Sequence, residues 1–269
     1  MSYKDLTVVI PTKDNEDRVS ALVGTIPLGI DILIVESDKV CHHKKCIDRA
    51  TVVHFIWDKT YPKKRNWVLE GKFIKTKWVL FLDDDELVTS KGYVEILNRI
   101  NQNSYDAFWL KYDLFFSGSR LRFGVGQRKL ALFKTNLFLY EKVNIGLDER
   151  FDMEIHEHPI SVVPSVRVGR LKARALHKED LSLQRLLIKH FEYATWEAAR
   201  YAENNISSRT LRQKVKYQMI NVKLFPLFYF FLDYFLFLRV LDGVAGLKYS
   251  AMKFTYFSLV QEGIGGEKT

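Results

Sequence analysis

The alternation of apolar and polar positions divides the chain into two regimes. A β-branched run, Leu6–Ile10, stops at Pro11 and predicts a buried strand. Asp14 or Asn15 can cap the helix that follows, whose apolar positions are Val19, Leu22, Val23 and Ile26. "IDILIVESD" predicts a second strand ending in acid, and "TVVHFIW" a third. "KKRNWVLEGKFIKT" reads as a helix with Trp67, Val68 and Phe73 inward, and "KWVLFL" as a fourth strand. "KGYVEILNRIN" predicts another helix. Strands alternating with helices imply an α/β domain around a largely parallel sheet.

From Tyr105 to Val168 the pattern becomes strand-like and irregular, in "DAFWLKYDLFF", "KLALFKT" and "ISVVPSVRV", with turns at Gly118, Gly124 and Gly126. From Leu183 apolar residues return to helical spacing at Leu187, Phe191, Ala194, Ala198 and Tyr201. "NNISS" ends that helix, and a basic, aromatic tail begins. The predicted division is an α/β domain over 1–205 and a helical tail over 206–269.

Composition adds two limits. Of 269 residues, 47% are hydrophobic, enough for a packed core and far from disordered composition. The start of the chain lacks the length and flanks of a signal peptide, and there are two cysteines, so a disulfide framework is not expected and the reading is cytosolic. The formal charge is +9, which suggests an anionic partner. Residues 206–269 hold nine basic against four acidic residues, an excess of five. Beside "LFPLFYFFLDYFLFL", that excess points to a membrane surface and away from nucleic acid.

Candidate chemistry concentrates where the fourth strand runs into Asp83, Asp84, Asp85 and Glu86. Ligands of open α/β sheets bind outside the carboxyl ends of strands, where this cluster and Glu36–Asp38 both fall. Four adjacent carboxylates repel one another, which raises their pKa values or demands a counter-charge. Mg²⁺ or Mn²⁺, which prefer oxygen ligands and commonly share carboxylates with substrate phosphates, is the expected neutraliser. Arg65 and Arg128 can each reach a diphosphate, which guanidinium binds bidentately. The loop "CHHKKC" has cysteine and histidine but no second ligand pair for structural zinc, so it reads as a surface loop.

The succession "VVIPTKDN", "ILIVESD", "KRNWVLE" and "WVLFLDDDELV" resembles family 2 glycosyltransferases, which have a GT-A fold: a Rossmann-like mixed central sheet flanked by helices. The resemblance extends through "RKLALFKTNLFLY", "IHEHPISVV" and "RALHKEDLSLQRLLIKHFEYATWEAARYA" to the lipopolysaccharide-core β-glycosyltransferase branch, and weakens beyond residue 205. It implies that Pro11, Thr12 and Asp84 border the donor pocket, with Glu36 and Asp38 towards the nucleoside. Glu36 stands where the family usually has Asp. Arg65 and Asn66 are implied in the same pocket. Asp83 and Asp85 form the Asp-x-Asp pair that holds the nucleotide-sugar and its metal, and His177 completes the metal site. Glu157, between His156 and His158, is the implied general base for an inverting transfer, with Asp152 and Glu154 as rivals.

The expected activity is therefore metal-dependent transfer of a hexose from a nucleotide-sugar, UDP-linked for preference, to a hydroxyl of a glycan or glycolipid such as lipopolysaccharide core. Two other readings compete. A haloacid-dehalogenase-like phosphatase also carries D-x-D after a strand, but Leu87 stands where Thr or Val is usual. A non-catalytic anionic-surface binder on a degenerate transferase fold sits poorly with an intact Asp-x-Asp. The tail is expected to attach the protein peripherally to the inner face of the cell membrane; a core helix packed on the catalytic domain, or a homo-oligomer contact, is the alternative use. Leu224–Leu238 is too short and too interrupted to span a bilayer. Asp233 at a bilayer centre would cost about 2.5–3.5 kcal/mol.

Overall fold

The computed structural model describes residues 3–46, 48–58, 62–142, 158–179, 183–202 and 211–266. They form two compact units. The first takes in most of the chain up to Leu114, Gly126–Val143 and the segment ending at Lys178; the second contains Phe115–Val125 and the helices from Leu183 onward.

The first unit is built on a mixed sheet. β1 (Leu6–Thr12), β2 (Asp31–Glu36), β3 (Thr51–His54) and β4 (Trp78–Phe81) run parallel, with α1 (Glu16–Thr25) and α2 (Lys64–Glu70) in the connections. β5 (Glu86–Val88) and α3 (Ser90–Gln102) follow, then β6 (Ala107–Phe116). Ser117 and Gly118, with φ 51° and 74° as a type I′ hairpin requires, turn the chain into β7 (Ser119–Leu121), which is counted with the second unit. β8 (Gln127–Lys134), β9 (Phe138–Tyr140), β10 (Pro159–Ser161) and β11 (Val168–Glu179) complete the strands. The sheet order is β3-β2-β1-β4-β8-β6-β11-β5. β8 joins β4 antiparallel and β6 joins β8 antiparallel, so the parallel half predicted from the sequence is extended by an antiparallel half. β9 and β10 form a separate antiparallel pair.

Both faces of the parallel half are covered, which is why its strands are continuously apolar. Leu6, Val8, Ile10, Trp78, Leu80 and Leu82 pack in one core with Val19, Leu22 and Ile96 of the helices. Val9, Val35, Val79 and Phe81 point the other way, to Val68, Phe133 and Tyr140. Charge therefore appears at strand ends: Glu36 closes β2, and the acidic run follows β4.

Three local expectations change. The helix after β3 stops at Gly71, because Lys72 adopts φ 56° and reverses the chain. Phe73 is consequently not on a buried helix face; it is partly exposed and lies on Trp67, ring centroids 4.5 Å apart. Asn15 occupies the first cap position of α1 but makes no capping bond with its side chain. The "CHHKKC" loop is not a surface loop throughout, since His43 and Cys46 are buried.

The second unit is helical: α4 (Leu183–Ala202), α5 (Leu211–Ile220), α6 (Phe225–Phe231) continuing into a wide turn over Leu232–Leu236, and α7 (Gly243–Gly266). Its core joins Ala194 and Ala198 of α4 to Tyr256, Phe257, Val260 and Ile264 of α7, with Tyr217, Ile220 and Phe225. At Gly263 a Cβ would come within 2.8 Å of the Ala198 Cβ, so small residues set this close approach. The face of α4 differs from expectation. Leu187 and Phe191 are exposed, while Leu186, His190, Ala194, Glu197 and Ala198 are buried. Among the described residues no helix is long and apolar enough to cross a membrane.

Candidate functional site

The carboxylates after β4 are each held differently. Asp83 Oδ1 accepts from Arg65 Nη2 at 2.9 Å, and its Oδ2 accepts from Lys129 Nζ at 2.6 Å. Burial alone would raise the Asp83 pKa, but Lys129 and Arg65 outweigh it and hold the carboxyl far below its ordinary range. Glu86 is almost wholly buried. Its Oε1 accepts from Lys129, and its Oε2 accepts from the Tyr112 hydroxyl at 3.1 Å and the Asp83 amide at 3.2 Å. Burial nevertheless leaves the Glu86 pKa raised. Lys129 stays charged: burial opposes it, but Asp83 and Glu86 together push its pKa up.

Asp84 turns towards β1. Its Oδ2 accepts from Thr12 Oγ1 at 2.7 Å and from Asn15 Nδ2 at 3.1 Å. Burial raises its pKa against those hydrogen bonds. This contact explains the missing cap on α1: the Asn15 amide is recruited to the acidic loop. Pro11 precedes Thr12 on β1, and Lys64 Nζ donates to the Thr12 carbonyl at 3.2 Å.

Asp85 meets His177. Asp85 Oδ2 and His177 Nε2 are 3.3 Å apart, and His177 Nδ1 lies 3.4 Å from Gln127 Oε1. The antiparallel pairing of β11 with β5 sets His177 opposite Glu86, and the Lys178 amide donates to the Asp85 carbonyl at 3.1 Å. Burial works against protonating His177, but the hydrogen bond and charge of Asp85, with Glu86 behind, leave its pKa raised.

The donor set suits a divalent cation. Oxygen atoms of Asp83, Asp85 and Glu86 lie within 4.8 Å of one another. Adjacent ligands of an octahedral ion bound at 2.0–2.1 Å are about 3 Å apart, close to the Asp85–His177 separation. Asp85 is the acid of this run whose carboxylate meets an imidazole, so Asp85 and His177 are candidate ligands, with Asp83 and Glu86 adjoining.

The remaining expected residues take distinct positions. Glu36 is fully buried at the end of β2. Its Oε1 accepts from the amides of Asp14 (3.1 Å) and Asp38 (2.7 Å), and its Oε2 lies 2.6 Å from His43 Nε2. It thus ties together the loops after β1 and β2. Glu36, Cys41 and His43 could also present three metal-ligand atoms, but burial pushes the Cys41 thiol up and the carboxylate is already engaged. Asp38 Oδ1 accepts from the amides of Val40 (2.6 Å) and Cys41 (3.3 Å).

Asn66 is buried on α2. Its Nδ2 donates to the Tyr140 carbonyl, and its Oδ1 accepts from the Tyr140 amide, both at 2.8 Å. Arg65 meanwhile lies 5.2 Å over the Tyr140 ring. α2 thereby joins the acidic loop to β9, from which the chain leaves towards residue 143 and returns at His158. Glu157, His156, Asp152 and Glu154 lie outside the described residues. Arg128 lies 5.1 Å over the Trp109 ring, and strand alternation turns it away from the face that Gln127 and Lys129 share.

The sequence pointed to Asn15 only as a helix cap, and did not point to Lys129, Tyr112 or Gln127. "QRKLAL" does contain the signal for a cation facing the acids, but period-two alternation alone does not say whether Arg128 or Lys129 faces them.

No family model matches the chain, and no curated protein matches it by sequence. Among solved structures it is similar to residues 1–349 of TarS from S. aureus in complex with UDP-GlcNAc, at 13% identity and TM-score 0.46, covering 98% of this chain and 91% of that one. It is also similar to the mannosyltransferase PcManGT from Pyrobaculum calidifontis in complex with GDP-Man and Mn²⁺, at 12% identity and TM-score 0.53, covering 98% of this chain and 88% of that one. The likeness to PcManGT extends over nearly the whole chain and is one of fold: the architecture is of the GT-A type, a mixed sheet flanked by helices with a helical C-terminal extension.

Proposed function

We propose that this chain is a metal-assisted, inverting glycosyltransferase that moves a hexose from a nucleotide-sugar to a hydroxyl of a glycan or glycolipid. The observation that carries this reading is the convergence of Asp85 Oδ2 and His177 Nε2 to 3.3 Å, beside an Asp83 held ionised by Arg65 and Lys129. The fold shared with a mannosyltransferase solved with GDP-Man and Mn²⁺ supports it. The order of the sequence motifs supports an acceptor of the lipopolysaccharide-core kind.

Asp85 and His177 would hold Mn²⁺ or Mg²⁺, with Asp83 and the donor diphosphate adjoining. When bound, the ion would stabilise the charge that develops on the departing nucleoside diphosphate. Thr12 and Asn15 fix Asp84, and with Pro11 and Asp38 they border the nucleotide pocket. Glu36 and Asn66 position the loops around that pocket. Glu157 would take the proton of the acceptor hydroxyl as its oxygen bonds to the anomeric carbon and the bond from that carbon to the diphosphate breaks. A phosphatase using Asp83 as nucleophile is disfavoured, because both Asp83 oxygens accept from cations.

The test is thermal stabilisation by UDP with and without Mn²⁺, followed by a donor-hydrolysis screen over UDP-, GDP- and TDP-sugars. A metal-dependent rise in melting temperature with one nucleotide, matched by hydrolysis of its sugar, is expected. Absence of any metal-dependent nucleotide binding would overturn the reading.

A further inference from the structure

The helical unit presents a helix with its apolar face outward. Leu224, Leu227, Phe228, Phe231 and Phe235 recur at one-face helical spacing, and each is 44–66% exposed. The opposite side of the same segment carries Phe225 and Asp233, both buried. Leu236, Leu238, Leu241, Val244 and Leu247 are exposed as well. A groove of about 430 Å³ between the end of α5 and α6 is lined by Met219, Val222, Leu224 and Phe228 among other apolar side chains. A concentration of exposed apolar side chains of this kind marks an interaction site.

The acids of this region are turned inward. Asp233 and Asp242 are the only acidic residues in 211–250. Asp233 Oδ2 accepts from Ser250 Oγ at 2.6 Å and faces the buried Arg239 at 3.5 Å. Asp242 accepts from the amides of Arg122 (2.9 Å) and Phe123 (3.2 Å) and also faces Arg239, at 3.7 Å. The carboxylate that makes this segment look unsuited to lipid therefore never meets its surface. Lys223, which precedes Leu224, and Lys248, which follows Leu247, are both exposed.

We propose that this face, Leu224 to Leu247, docks on an anionic lipid bilayer, with the α6 stripe inserted at the interface and Lys223 and Lys248 against the head groups. Aromatic side chains suit that interface, and basic residues are drawn to anionic lipid. A second copy of the chain fits less well. A twofold contact presents the same face from both sides, so the lysines would find no carboxylate opposite. The inference stands on the helical unit and does not depend on the proposed chemistry.

The experiment is co-sedimentation of the full chain with vesicles of phosphatidylcholine plus phosphatidylglycerol, against phosphatidylcholine alone. Wild-type protein is expected to sediment with the mixed vesicles and on the order of tenfold less with the neutral ones. Phe228→Ser/Phe231→Ser/Phe235→Ser should abolish binding, and Lys223→Gln/Lys248→Gln should remove the preference for anionic lipid. If circular dichroism shows the triple variant unfolded, Leu227→Gln replaces it. Wild-type protein that stays in the supernatant overturns the proposal. So does retained binding by a folded stripe variant, or an unchanged preference in the lysine variant. A wild-type dimer that does not bind vesicles and becomes monomeric in the stripe variant assigns the face to a second copy and equally overturns it. UDP–Mn²⁺ stabilisation, measured on every variant without vesicles, separates this outcome from the catalytic reading. Vesicle binding without nucleotide binding supports the docking and overturns the chemistry.

Discussion

His177 Nε2 lies 3.3 Å from Asp85 Oδ2, although 92 residues separate them in the chain. The pairing of β11 with β5 is what joins them, and it predicts a shared ligand. His177→Ala and Asp85→Asn should each weaken Mn²⁺ binding in the presence of UDP by about ten- to a hundredfold, with the fold intact. Titration calorimetry checks this, and an unchanged metal titration in both variants would remove them from the metal site.

Lys129 bridges Asp83 and the buried Glu86. Lys129→Met should destabilise the protein by about 2–3 kcal/mol, less than for a fully buried pair because Lys129 is itself half exposed. Glu86→Gln in that background should recover part of the loss, since it removes the stranded charge. Urea denaturation of the two variants tests it; a single variant within about 0.5 kcal/mol of wild type would show that the bridge contributes little.

Glu157→Gln should lower transfer by about 10²–10⁴-fold while leaving UDP–Mn²⁺ binding unchanged. Near-normal transfer would move the base to Asp152 or Glu154. Asn66→Ala should lower transfer and also cost about 1–3 kcal/mol of stability, because it removes the side-chain amide that bonds the Tyr140 amide and carbonyl.

Asp106 provides a pH dependence away from the site. Its carboxylate accepts from Lys134 Nζ at 2.7 Å and from the Arg167 amide at 2.9 Å, and chiefly the Lys134 bond lowers its pKa below the ordinary 3.8. A carboxyl depressed by folding contributes stability that is fully present above its unfolded value and is lost as pH falls through the folded one. Asp106→Asn should therefore be less stable than wild type at pH 7. The gap should close as the pH drops below about 4. Thermal melts across that range test it; a gap independent of pH would contradict the assignment.

Much of the first unit was legible in the sequence because burial on both faces leaves a direct mark. Strands covered on both sides must be continuously apolar, as β1, β2 and β4 are. Charge can then appear only where such a strand ends, so Asp83–Glu86 stood out before any contact was known. The sequence by itself also determined the basic, aromatic character of the tail, since composition does not depend on packing.

Tertiary structure alone decided which neighbour faces which partner. Arg128 and Lys129 are adjacent cations on one strand, and only the register of β8 against β4 and β6 turns Lys129 to the acids and Arg128 to Trp109. On α4, Leu186 and Leu187 are equally apolar, and the approach of α7 selects the face with Leu186, Ala194 and Ala198. Asp233 reads as a polar break in an apolar run, yet Arg239 and Ser250 withdraw it from the surface. The physical reason is common to all three. A residue's period along its own element is local, whereas the direction in which its side chain finds a partner depends on segments far away in the chain.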